Sequence, residues 1–111
     1  MTEQVPEIEP TEGRRRVEAG ALLLDVRNPD EWEVGHASDA TWIPMGEIDA
    51  RRTELPNDRE IVVICRSGAR SAKVTEALRS WGHDATNLAG GSLAWKEAGL
   101  PFEGDVAPPL G

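Results

Sequence analysis

The chain has 111 residues, a single cysteine, and 20 acidic residues against 12 Lys plus Arg, for a net charge of −8 with His neutral. One domain of this length buries roughly 60–70% of its unfolded surface, and a lone cysteine excludes an internal disulfide framework. The acidic balance opposes a nucleic-acid partner, and no run approaches the ~18 apolar residues needed to span a membrane.

The N-terminal Met1–Glu7 is acidic and lacks an apolar stretch, which predicts no signal peptide and a cytoplasmic protein. Val5 to Ile8 reads as an edge strand, because Pro6 cannot donate to a ladder on both sides. Thr11 to Ala19 reads as a helix ended by Gly20, with Arg14-Arg15-Arg16 on its solvated face. Ala21 to Val26 is a buried strand that runs into charge at Asp25 and Arg27. Asn28-Pro29-Asp30-Glu31 carries helix-start signals: a cap, Pro at the first position and Glu at the third. Ala40 to Ile43 is a third strand, halted by Pro44, and Gly46 to Thr53 is expected to be helical.

Ile61-Val62-Val63-Ile64 is short, continuous and β-branched, as a strand covered on both faces should be. A helix over Ser71–Trp81 follows, with Val74, Leu78 and Trp81 on one stripe. Asp84 to Leu88 is a last strand, and a closing helix runs from Ser92 through Glu97. These elements predict a three-layer α/β domain over residues 1–103, built on a mainly parallel five-stranded sheet with helices on both faces. Residues 104–111, with Pro108 and Pro109 together, are expected to form a poorly ordered tail. A monomer or weak dimer is expected.

Cys65 stands at the end of the central strand and opens the loop Cys65-Arg66-Ser67-Gly68-Ala69-Arg70-Ser71. Four of the six residues after it are Arg or Ser, which a cysteine buried for packing alone does not require. A free thiol titrates near about pH 8.5, and loop amides, a helix N-terminus and guanidinium charge all favour its anionic form. Gly68 allows the loop to turn back, and Ser67 and Ser71 offer hydroxyl donors to a sulfur or a bound anion. Arg66, Arg70 and Lys73 form a local cationic cluster in an acidic chain, which favours a small anionic substrate. One cysteine and two well-separated histidines give no metal site, and no cofactor is called for.

Taken together and in order, the motifs resemble a single-domain rhodanese over about Pro6 to Phe102. Leu23-Leu24-Asp25-Val26-Arg27 with Glu31-Trp32 and Gly35-His36 is similar to the family's first signature, and Ile43-Pro44 to its next element. The cysteine loop is similar to its active-site loop, and Gly90-Gly91-Ser92-Leu93-Ala94-Trp95 to its closing motif. The resemblance implies a thiosulfate sulfurtransferase in which Cys65 takes sulfane sulfur from a small anionic donor as a persulfide. A thiol or cyanide, or a partner protein, would then accept it. It further implies that Arg66, Ser67, Gly68, Ala69, Arg70 and Ser71 cradle the sulfur.

A sulfur-carrier or protein-interaction module is the alternative. Cysteine phosphatases and arsenate reductases are disfavoured, because the phosphatases carry a loop one residue longer between Cys and Arg. Asp25, Arg27 and His36 are expected behind the loop: an Arg27–Glu31 pair as structure, and His36 as a loop-fixing hydrogen bonder. Trp42 falls either in the core or on the approach to Cys65. Leu93 and Trp95 are expected to pack the last helix on the sheet, and His83 to be exposed.

Overall fold

The computed structural model describes residues 5–108. In chain order the elements are β1 (Glu7–Ile8), α1 (Pro10–Glu18), β2 (Leu22–Asp25), α2 (Pro29–Val34), β3 (Gly35–Ala37), β4 (Thr41–Trp42), β5 (Ile61–Ile64), α3 (Ala69–Ser80), β6 (Ala85–Leu88), α4 (Gly91–Glu97) and β7 (Phe102–Gly104). Five strands make one sheet in the order β1-β6-β5-β2-β4, every pair parallel. A second sheet of two antiparallel strands, β3 and β7, lies apart from it. Among the described residues no helix is long and apolar enough to cross a membrane.

The central strand shows how the pleat divides the core. Side chains alternate between faces along a strand, so Ile61, Val63 and Cys65 join Leu24, Val26, Val74 and Leu78 on one side. Val62 and Ile64 join Leu23, Leu88 and Trp95 on the other. The first face is covered by α3, the second by α1 and α4. At Gly13 of α1 a Cβ would collide with Leu88, so glycine lets that helix sit close to the sheet. All four residues of β5 are buried, which accounts for their unbroken apolar run.

Three expectations need correction. Gly46 to Thr53 is not one helix: two 3-10 turns, Met45–Glu47 and Arg52–Glu54, flank a turn. Only Ile48 and Leu55 anchor this stretch in the core, too few apolar residues to hold an α-helical face. The expected tail is structured from its start. Gly104 lies in β7 opposite Gly35, Asp105 N–H donates to Val34 O at 3.1 Å, and Ala107 is buried. Gly35 admits that close approach, since a Cβ there would collide with the Asp105 backbone. Residues 109–111 of that tail lie outside the described residues. Third, Leu93 is exposed, and Trp95 alone of the pair packs α4 on the sheet.

Candidate active site

Parallel strands bring their C-terminal ends to one edge, and Asp25, Trp42 and Ile64 stand there in register. Cys65 follows directly. The chain turns at Gly68, whose φ of 111° lies in the left-handed region open to glycine, and enters α3 at Ala69. That turn folds the loop back over the sulfur. Gly68 N–H donates to Cys65 Sγ at 3.1 Å, and Ser71 Oγ–H donates at 3.2 Å from the first turn of α3. Both donors are partners that a sulfur carrying negative charge attracts. Ser71 is itself fully buried, and its carbonyl accepts from Thr75 Oγ1 at 2.7 Å.

The loop backbone is clamped from behind. Ser92 N–H donates to Cys65 O at 2.7 Å and Leu93 N–H to Arg66 O at 3.1 Å. Gly91 makes this possible: a Cβ there would lie 2.5 Å from both carbonyl oxygens. Asn87 Nδ2 holds Gly68 O at 3.1 Å from the end of β6. The motif Gly90-Gly91-Ser92 is thus the seat of the cysteine loop, which its sequence position did not reveal. Among the described residues, the amides of Arg66, Ser67, Ala69, Arg70 and Ser71 donate to no backbone carbonyl. Like the amides of a helix's first turn, they are left without a backbone partner.

The two loop arginines have different surroundings. Arg70 makes a two-point ion pair with Glu31, Nη1–Oε1 at 2.6 Å and Nη2–Oε2 at 2.8 Å. Its hydrogen bonds from Arg70 hold the Glu31 carboxyl below the usual range, burial notwithstanding. Arg70 is pushed up in turn, chiefly by Glu31. Asn28 N–H also donates to Glu31 at 3.1 Å, so one carboxylate ties the start of α2 to the cysteine loop. Arg66 is half-buried and donates through Nε to Ala107 O at 2.8 Å; no carboxylate pairs with it among the described residues. Lys73 stands apart, lining a hollow of about 220 Å³ with Met45, Ile48 and Trp81.

The expected Arg27–Glu31 pair does not form. Arg27 is fully buried and clasps Asp25, with Nη2–Oδ2 at 2.8 Å, and its Nη2 also reaches Gly35 O at 2.8 Å. Its carbonyl accepts from Trp42 Nε1 at 2.9 Å, so Arg27 ties together the ends of β2, β3 and β4. Trp42 is half-buried and belongs to an aromatic stack: His36 lies on Trp32 at 3.6 Å, and Trp32 on Trp42 at 5.5 Å. His36 Nδ1 meets Ala37 O at 3.1 Å and makes no hydrogen bond to the thiol. His83 is half-buried rather than exposed, with Nδ1 3.0 Å from Pro56 O. Ser67 and Ala69 are exposed at the rim of the loop.

Sequence and structure comparisons show which known proteins this chain resembles. The profile described as rhodanese-like domain matches residues 9–98. A sulfurtransferase of Allochromatium vinosum is 44% identical over 88 residues, covering 78% of this chain and 79% of that one. The HTH-type transcriptional regulator Rv0324 of Mycobacterium tuberculosis is 41% identical over 101 residues, which are 87% of this chain but 43% of the regulator. The crystal structure of a rhodanese-related protein from Thermoplasma volcanium matches with a TM-score of 0.82 at 31% identity, over 87% of this chain and 96% of that one. The chain therefore belongs to the rhodanese-like domain family.

Proposed function

We propose that this protein is a sulfurtransferase that carries sulfane sulfur on Cys65. The observation that carries the proposal is the pair of donors, Gly68 N–H and Ser71 Oγ–H, on Cys65 Sγ. They support a sulfur nucleophile without a general base. The Cys65 thiolate attacks the outer sulfur of thiosulfate, a new S–S bond forms, and the bond to the inner sulfur breaks. Sulfite leaves with the electron pair, and Cys65 becomes a persulfide anion. A thiolate or cyanide then attacks the outer sulfur, takes it as a persulfide or thiocyanate, and returns the Cys65 thiolate. Neither step changes the total charge.

The amides of Ser67, Ala69 and Arg70, which donate to no backbone carbonyl among the described residues, support a role in holding the outer sulfur. Arg66 supplies the anion-attracting charge. Arg70 is neutralised by Glu31 and Arg27 by Asp25, whereas among the described residues Arg66 meets a carbonyl and no carboxylate. These surroundings favour Arg70 as the brace of the loop and Arg66 as the donor's partner. The test is cyanide-dependent thiocyanate formation from thiosulfate, with ping-pong kinetics and complete loss in Cys65→Ser. Hydrolysis of an aryl phosphate in place of sulfur transfer would overturn the proposal. Loading from a protein persulfide but not from thiosulfate would restrict it to a carrier.

A further inference from the structure

Arg66 is held by a part of the chain 41 residues away. Beyond β7 the backbone is latched by Lys96, whose Nζ donates to Gly104 O at 2.9 Å and pairs with Asp105 Oδ1 at 2.5 Å. Asp105 and Pro108 are exposed, but Ala107 between them is only 7% exposed. Its carbonyl takes the Arg66 Nε–H at 2.8 Å. That bond leaves Nη1 and Nη2, the fork that recognises oxyanions, with no hydrogen-bond partner among the described residues. A carbonyl carries no net charge, so it orients the guanidinium without neutralising it.

We infer that Ala107 is a positioning residue: its main-chain carbonyl pre-sets Arg66 so that the Nη fork faces an anionic sulfur donor arriving at Cys65. The nature of the donor rests on the sulfur-transfer proposal above; the positioning of Arg66 does not. Arginine loses much rotamer freedom when it binds a ligand, and a side chain already fixed loses less. The segment 105–107 therefore acts on recognition of anions rather than on the sulfur chemistry.

The experiment ends the chain after Val106 as a C-terminal amide, which removes the Ala107 carbonyl without adding a carboxylate beside Arg66 and keeps β7 and the Lys96–Asp105 latch. Two readouts are taken: Cys65 alkylation by anionic iodoacetate against neutral iodoacetamide, and KM against kcat for thiosulfate. The expected result is a fall of about threefold to tenfold in the iodoacetate-to-iodoacetamide rate ratio, and a matching rise in KM with kcat changed less than twofold. Arg66→Lys keeps the charge but loses both Nε and the fork, so it should show the same fall in the full-length chain, and the truncation should add nothing to it. An unchanged ratio would overturn the inference. So would equal acceleration of both reagents, which would mark a general rise in access to Cys65, or an undiminished truncation effect in Arg66→Lys. A shifted ratio with no thiosulfate turnover in any form would overturn the sulfur-transfer proposal alone.

Discussion

Glu31 closes on Arg70 across 39 residues of sequence, with both carboxylate oxygens engaged. Glu31 is 7% exposed on its side chain and Arg70 33%, so the pair sits at the boundary of the interior and seals one flank of the cysteine loop. It leaves Arg66 as the loop cation without a carboxylate partner among the described residues.

Glu31→Gln should destabilise the fold by roughly 2 kcal/mol at pH 7, because a charge-assisted two-point bond is lost. The Glu31 carboxyl lies below its usual value of 4.5 in the folded state, chiefly through Arg70. The unfolded chain therefore takes up this proton at higher pH than the folded chain. The contribution of Glu31 is complete above that ordinary value and fades as pH falls toward the lowered folded one. Urea unfolding from pH 7 to 3 checks this: the gap between wild type and variant should stay constant above about pH 5 and narrow below pH 4.5. A gap that widens on acidification would contradict it.

Arg66→Ala and Arg70→Ala should separate. Arg66→Ala raises KM for thiosulfate about tenfold with little change in urea midpoint, since an anionic donor loses one charge-assisted partner. Arg70→Ala strands the Glu31 carboxylate and lowers stability by roughly 2 kcal/mol. Steady-state kinetics and denaturation on both variants give the comparison. Similar stability losses in the two would remove the distinction between brace and recogniser.

Much of this was legible in the sequence, and the failures have physical causes. The β5 strand, the capped start of α2 and the turn into α3 came from local signals: a β-branched run, Asn-Pro-Asp-Glu, and a Gly-containing loop. The antiparallel pair β3–β7 was not legible, because each strand has three residues and their pairing spans most of the chain. The partner of Arg27 differs from the expectation for another reason. The family resemblance points to Glu31, but Asp25, two residues back, reaches the guanidinium from the strand end, and Glu31 is taken by Arg70 from another element. Ala107 carried no signal at all, since its contribution is a main-chain carbonyl.

Gly91→Ala should be severely destabilising, by roughly 3 kcal/mol or more, because the added carbon meets two carbonyls at 2.5 Å in a left-handed backbone with φ of 59°. Gly82→Ala shares a positive φ of 94° but meets nothing within 4 Å, so it should cost about 1 kcal/mol. Thermal or urea denaturation of the pair isolates the collision from the backbone strain.

Ser71→Ala removes the buried hydroxyl that donates to Cys65 Sγ. It should slow Cys65 alkylation by iodoacetamide at pH 7 about threefold to tenfold and cost roughly 1 kcal/mol of stability. Ser67→Ala, exposed at the loop rim, should leave both within experimental error. Parallel rate measurements on the two serine variants check the assignment of the donor.

The central claim is that Cys65 itself carries the transferred sulfur. It is tested most directly by incubating the protein with thiosulfate in the absence of any acceptor and recording its intact mass. Wild type should gain about 32 Da, one sulfur atom, which cyanide removes, and Cys65→Ser should gain nothing. A wild-type mass that stays unchanged while thiocyanate still forms, or a gain that survives in Cys65→Ser, would contradict it.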